Sequence, residues 1–360
     1  MYRNTTLVPA GILRACVCIG AVLLSACSQD KGTITWHLLP EDTGLMDNIC
    51  ISVAKSSDGL GCRSVPMVAE ILRALPGRTG VSVLMEQTTA HADRFEPLEN
   101  RGIVTYTPQD TPVPLWVQDP FLVLTDGCGD SMLLAPSEAG NTVNSGIVAL
   151  IAKQMGWKWR VSSTAFEGGN VVAGSRHVFV GRDTVRRNAT MLRCPEANVE
   201  VALARELGAP VIVLGSSPQK IPHIDLILAP IGPRQVVLAD SSWGARIAAE
   251  ALRRDPVAVT KFEEKCEAAS QVDCGDFGDA DPAGRGSHDR YRVVGQTTGA
   301  IESSTALAPH FEELAESLRL AGYKVERVPS VFFKAEHEPH RANQGVRQDH
   351  AALPAYPCLT

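Results

Sequence analysis

The 360-residue chain is poor in aromatic residues, which make up 5% of it, and it has no sustained run of lysine or arginine. The first shortage points to an aliphatic core. The second removes the electrostatic footprint of a phosphate track, so no nucleic acid is expected as a partner. No cysteine pair has the C-x-x-C spacing of a zinc site, no Walker A segment occurs, and no G-x-G-x-x-G follows a strand to open a helix. Zinc and nucleotide cofactors therefore have no motif behind them, and none is expected. What is plentiful is turn chemistry, with 30 glycines and 23 prolines. A hydrophobic fraction of 44% and a mean hydropathy near zero exclude wholesale disorder. The formal charge is −6, and at ~150 residues per domain the length fits two domains or one repeat-built unit.

The first residues stand apart from the rest. Arg3 and Arg14 precede a short apolar stretch, Ala15 to Leu24, which ends in Leu24-Ser25-Ala26-Cys27. About ten apolar residues cannot cross ~30 Å of hydrocarbon. Small residues before a cysteine at that point resemble a bacterial lipoprotein signal, residues 1–26, with cleavage before Cys27 and lipid on its thiol. Ser28 in the following position resembles outer-membrane sorting, so the expected location is the periplasmic side of that membrane, with the membrane itself a partner through the lipid. Loss of the two arginines takes the formal charge from −6 to −8. Seven other cysteines remain in residues 27–360: Cys50, Cys62, Cys128, Cys194, Cys266, Cys274 and Cys358. An oxidising compartment permits disulfides, with Cys50–Cys62, Cys266–Cys274 and Cys128–Cys194 as possible pairs.

One pattern recurs four times: an amphipathic helix, a glycine at its end, and a β-rich strand. The four run from Val65 to Leu84, Ile147 to Val161, Val199 to Leu214, and Phe311 to Val328. Strand pairs precede the later helices, at 122–125 with 132–135, 171–173 with 178–180, and 226–228 with 235–239. The repeat is therefore strand–strand–helix–strand, of about 50 residues, and such units stack or close into a ring because none buries its own apolar face. The fourth carries an insertion whose core is residues 261–300, rich in glycine and charge and read as an excursion loop or subdomain. A helix–strand pair at 245–259 is counted with it.

Three short segments open successive repeats: Trp116-Val117-Gln118-Asp119-Pro120, Phe166-Glu167-Gly168-Gly169-Asn170 and His223-Ile224-Asp225. The spacings, 48 residues from Asp119 to Glu167 and 56 from Glu167 to His223, are each close to one repeat. If equivalent strand starts converge, Asp119, Glu167, His223 and Asp225 meet. Carboxylates facing one another repel unless a cation lies between them. A guanidinium is planar and permanently charged, and it matches carboxylates edge to edge. A histidine beside it can move protons while a glutamate holds its ring. Glycines at 168 and 169 let the backbone approach a ligand closely.

Order, spacing and repeat together resemble the pentein superfamily of guanidino-group-modifying enzymes, over roughly residues 33–360. Trp116-Val117-Gln118-Asp119 is most similar to the protein-arginine deiminases, and Phe166-Glu167-Gly168-Gly169-Asn170 to the free-arginine deiminases. The resemblance implies an α/β fold, a five-bladed propeller of ββαβ repeats. It also implies a hydrolase that deiminates arginine, in a peptide or a small molecule. In that reading Asp119 and Asp225 hold the guanidinium, His223 is the acid–base group, Glu167 orients it, and Gly168 and Asn170 lie on the substrate side.

The nucleophile of the resemblance is a cysteine late in the fifth repeat. Cys358 is the one cysteine near the C-terminus, but only 32 residues follow Val328, and no glycine-rich turn precedes Cys358. The expectation is a chain that lacks most of the fifth blade, with Cys358 as the alternative nucleophile. A binding reading stands beside the enzymatic one: a guanidinium-binding lipoprotein without turnover. Protein-arginine deiminases depend on calcium, and the acidic run Asp273, Asp276, Asp279 and Asp281 is where calcium would bind, although no EF-hand pattern is present. Glu336-His337-Glu338-Pro339-His340 is read as a solvated loop.

Overall fold

The structure is a computed structural model. It describes residues 35–43, 48–53, 70–71, 73–75, 79–86, 102–107, 113, 117–137, 142–270 and 295–332. The expected signal segment, Cys27, most of the helix expected after Val65, Trp116, residues 271–294 with their aspartates, His337, His340 and Cys358 lie outside these.

The described residues form four separate sheets. Three of them share one order of elements. In the first, β5 (Leu122–Thr125) and β6 (Ser131–Ala135) make an antiparallel hairpin, α1 (Thr142–Met155) crosses over, and β7 (Lys158–Val161) returns parallel to β6. In the second, β8 (Val171–Ala173) and β9 (Val178–Gly181) are followed by α2 (Arg182–Leu192), α3 (Glu196–Leu207) and β10 (Val211–Leu214), parallel to β9. In the third, β11 (Leu228–Gly232) and β12 (Gln235–Asp240) are followed by α4 (Ser241–Arg254), α5 (Pro256–Ser270), α6 (Gln296–Leu320) and β13 (Lys324–Pro329), parallel to β12. The remaining sheet joins β2 (Asn48–Val53), β3 (Gly80–Glu86) and β4 (Gly102–Thr107), all parallel. A short β1 (His37–Leu38) pairs antiparallel with β5.

Alternate residues of one hairpin feed two different cores, because successive side chains of a strand point to opposite faces. Val171, Ala173, Val178 and Val180 pack with Leu122, Leu124, Met132 and Leu134 of the preceding sheet and with Val199, Leu203 and Leu207 of α3. Val172 and Phe179 turn the other way, against Leu228, Val236 and Leu238 of the following sheet and Phe311, Leu314, Ala315 and Leu318 of α6. Leu133 and Ala135 face a third core with Ile147, Val148 and Ile151 of α1. The β8–β9 sheet is thus buried on both faces, which is why its strands read as continuous apolar runs. Each unit completes the core of its neighbour. Gly156 and Gly208 end α1 and α3 at φ 67° and 69°, the left-handed conformation expected of a terminating glycine.

Several elements differ from the sequence reading. Helix α2 went unread because its buried face is largely polar: Thr184 and Asn188 flank Val185 there. Asn188 hydrogen-bonds the backbone of Ala165 in both directions (2.8 and 2.6 Å), a contact invisible to hydrophobic periodicity. Residues 257–259, paired with the preceding helix as a strand, are helical instead. Asp255 caps α5 by accepting from the Ala258 N–H at 2.9 Å, and Pro256 occupies its first turn. The 261–300 segment is helical at both described ends, in α5 and the first turn of α6. Glu263 ties these helices together by accepting from the N–H groups of Gly295 (2.8 Å) and Thr297 (2.9 Å). The strand expected at 226–228 begins at Leu228, because Ile224–Leu226 form a turn of 3-10 helix. Among the described residues, no helix is long and apolar enough to cross a membrane. Cys194 carries a free thiol, so the Cys128–Cys194 disulfide is not formed. Cys50 also carries a free thiol, and burial pushes it up to about 11.

Candidate functional site

The three segments that open the hairpins converge. Val117–Pro120 form a turn before β5, and Gly168–Asn170 and Ile224–Leu226 each form one turn of 3-10 helix just ahead of β8 and β11. The first two are joined by backbone: the Gly168 N–H donates to the Asp119 carbonyl at 3.1 Å, and the Gly169 N–H reaches the Asp119 carboxylate at 3.4 Å. His223 Nε2 lies 2.9 Å from Glu167 Oε2, and its Nδ1 lies 3.9 Å from Asp119 Oδ1. The first is a charge-assisted hydrogen bond; the second is an ion-pair distance only.

Asp225 completes the group. A Cβ built on Gly169 would stand 2.7 Å from His223 Nδ1 and 3.0 Å from Asp225 Oδ2, so both side chains press on the same bare backbone. Asp225 Oδ1 is buried and has no hydrogen-bond partner. A buried carboxylate oxygen left in this state is costly unless a donor arrives from outside. Electrostatics express that cost. Burial, reinforced by the charge of Asp119 and opposed by His223, pushes Asp225 up to about 6. Burial likewise raises Asp119, again opposed by His223. His223 is raised above the usual imidazole range chiefly by its Glu167 hydrogen bond, and the surrounding carboxylates outweigh its own desolvation. The side chains of Asp119 and His223 are about a quarter exposed, so the site opens to solvent on one side.

All four residues of the expected cluster are therefore together. The two residues expected on the substrate side are both engaged by protein contacts. Asn170 does not offer its amide to a ligand: its Nδ2 donates to Thr184 Oγ1 (2.9 Å) and Gln219 Oε1 (3.1 Å), and its Oδ1 accepts from Gln219 Nε2 (3.1 Å). It fixes the start of β8. At Gly168 the protein itself requires a glycine, since a Cβ there would fall 1.9 Å from the Gln118 carbonyl oxygen. Gln219 and Asp183, which brace Asn170 through reciprocal bonds of 2.8 Å, went unread because neither lies in a repeating segment.

Cys50 lies on β2, Cys128 in the β5–β6 turn, Cys194 between α2 and α3, and Cys266 on α5. None is in the segments that carry the four site residues. Among the described residues, no three His, Cys, Asp or Glu side chains are grouped as a metal shell requires.

No family model and no curated protein matches the chain in sequence. Its structure does match solved ones. An agmatine deiminase from C. jejuni superposes with a TM-score of 0.52 over 86% of this chain and 77% of that one, at 11% identity. A substrate-bound Cys-to-Ser variant of the C. jejuni agmatine deiminase gives 0.52 over 84% and 76%, at 10% identity. A protein described as a candidate peptidyl-arginine deiminase gives 0.51 over 85% and 80%, at 14% identity. At such identities the likeness speaks for the fold alone. The chain shares the fold of these solved deiminase structures.

Proposed function

We propose that the protein binds a guanidino compound between Asp119 and Asp225 and hydrolyses it, releasing ammonia and leaving a ureido product. The observation that carries this reading is the buried, partnerless Oδ1 of Asp225 beside a second carboxylate and a histidine. A planar cation with donors along two edges relieves both carboxylates at once. The matched folds, among them a Cys-to-Ser variant holding its substrate, support the same class of ligand and a cysteine nucleophile.

In this reading a thiolate adds to the guanidinium carbon, and His223 gives its proton to the departing amine, which leaves as ammonia. The residual S-linked amidinium is attacked by water. His223, now neutral, takes one proton of that water, and collapse expels the thiolate with the ureido product, whose remaining hydroxyl proton is lost to solvent. Glu167 keeps the ring oriented and favours its protonated form before the first transfer. The thiolate belongs to a cysteine outside the described residues, for which Cys358 is the candidate in this chain. The repeats then belong to a five-bladed propeller, a reading supported by three sheets of one element order that share cores with their neighbours. A binding-only role is the second reading, favoured by the absence of a cysteine from the described segments of the site. The leader at 1–26 and Cys27 place the protein on a membrane surface in this proposal, on sequence grounds.

One sample decides between turnover and binding. Calorimetry with arginine and agmatine, followed by a ureido-product assay, is expected to give binding and product, with product lost in Cys358→Ala. Binding without product in the unaltered chain supports the binding role. Product undiminished by Cys358→Ala removes Cys358 as the nucleophile.

A further inference from the structure

The segment that delivers His223 is held by the start of α2. Residues 215–222 run from the end of β10 to the turn of His223–Asp225. Arg182 Nε donates to the Gly215 carbonyl at 2.8 Å. The Asp183 carboxylate accepts from the Ser217 hydroxyl and, at 2.8 Å, from the Gln219 N–H. The side chain of Gln219 then joins the two turns that carry Glu167 and His223. Its Oε1 accepts from the Asp183 N–H (2.8 Å) and from Asn170 Nδ2 (3.1 Å). Its Nε2 donates to Asn170 Oδ1 (3.1 Å) and to the carbonyls of Ile221 (3.1 Å) and Pro222 (3.3 Å). The backbone partners admit one orientation of the amide, because an N–H only donates and a carbonyl only accepts. Asn170 ends the turn that Glu167 opens, and Pro222 immediately precedes His223. One side chain therefore spans the two segments whose Glu167 and His223 meet at 2.9 Å. The packing leaves the link little slack: a Cβ on Gly181 would stand 2.0 Å from Asn170 Oδ1 and 2.5 Å from Gln219 Oε1.

We propose that Gln219 is a positioning residue, which fixes the turn of His223 against the turn of Glu167 and so holds the imidazole in its hydrogen bond to that carboxylate. The hydrogen bonds of Gln219 run to neither Asp119 nor Asp225, so it acts on the site through His223 alone. The consequence for turnover rests on the reading of His223 as the group that protonates the departing amine. The charged groups facing the ring are Glu167, Asp119 and Asp225, and the Glu167 bond does most to keep its proton. At 2.9 Å that bond has only about 0.3 Å to spare before it leaves the ordinary range of hydrogen-bond lengths. Loosening it shrinks the imidazolium fraction at neutral pH, and with it the supply of the proton donor.

The test is the imidazole titration of His223, followed by NMR on the full chain without ligand. Gln219→Met keeps the length of the side chain and removes all of its side-chain hydrogen bonds. The His223 midpoint is expected to move down, in the direction of Glu167→Ala and by no more. In the double variant Gln219→Met adds nothing to Glu167→Ala, because both act through one bond. Glu263→Ala, which unties α5 from α6, costs stability and leaves the midpoint in place, so a loss of stability does not mimic the effect. If Gln219→Met does not fold, Gln219→Asn, one methylene short of its partners, gives the same readout with a smaller shift. An unmoved midpoint in a folded Gln219 variant, or a shift that adds in full to that of Glu167→Ala, overturns the positioning role. In turnover, kcat is expected to fall roughly tenfold in Gln219→Met with KM little changed. Absence of both product and butylguanidine binding in the unaltered chain overturns the enzymatic reading, while the titration, which needs no ligand, still decides the role of Gln219.

Discussion

The turns that open the second and third hairpins are nearly the same object with different residues. Glu167 precedes one turn of 3-10 helix at φ −114°, ψ 133°, and His223 precedes the other at φ −117°, ψ 128°. The two side chains that share the 2.9 Å hydrogen bond thus come from corresponding positions of consecutive repeats. Two residues on, Gly169 corresponds to Asp225, and the correspondence explains the glycine. The volume a Cβ would take at 169 is claimed by His223 and Asp225 from the next repeat. Three residues on, Asn170 is buried and fully bonded while Leu226 is 39% exposed. A repeated backbone has been given complementary rather than identical side chains: one turn supplies a histidine and a buried carboxylate, and the other a glutamate that bonds the histidine and the space for both.

That comparison can be broken at its most crowded point first. Gly168→Ala sets a methyl against the backbone of Gln118, which has no side-chain freedom to yield. It is expected to cost about 3 kcal/mol or more in denaturant unfolding. Gly169→Ala meets side chains that can move, and should cost about 1 to 3 kcal/mol while displacing His223 and Asp225, so guanidinium affinity falls too. If Gly169→Ala leaves affinity unchanged, the claim that this glycine makes room for the site fails. The third position separates structure from binding. Asn170→Ala removes the bonds that Asn170 makes with Gln219 and Thr184 and is expected to lose about 1 to 2 kcal/mol of stability, with little effect on affinity; Leu226→Ala is expected to stay within about 0.5 kcal/mol. The smallest effect concerns the shared hydrogen bond. Glu167→Gln removes the main support of the His223 proton, so the imidazole titration followed by NMR should move down, with the fold intact.

The repeat, three helices with their glycine ends, and the four site residues were legible because each rests on a local pattern: apolar spacing, a terminator, or a motif at a repeated interval. What was missed depends on contacts between distant segments. Helix α2 buries Asn188 against Ala165, which no periodicity records. The closeness of Gly168 to the Gln118 carbonyl likewise depends on a fold contact that the motif does not record. Glu41 lies 78 residues before Asp119, outside every repeat, and is held against the edge of β8 by the Ala173 N–H. The parallel sheet of β2, β3 and β4 has no hairpin, and none of the four site residues comes from it.

Asp225 supplies the most direct test, because its ionisation must accompany capture of a cation. A carboxyl raised from 3.8 to about 6 favours the folded, ligand-free chain below the lower value and loses that contribution as pH rises through the upper one. A bound guanidinium reverses the balance, since it pairs with the ionised form. Calorimetric titration with butylguanidine between pH 5 and 8 should therefore show affinity climbing through about pH 6 and then levelling. Binding should be weakened at least about 100-fold in Asp225→Ala. Absence of binding, or binding indifferent to both pH and the loss of Asp225, would contradict the guanidinium cage.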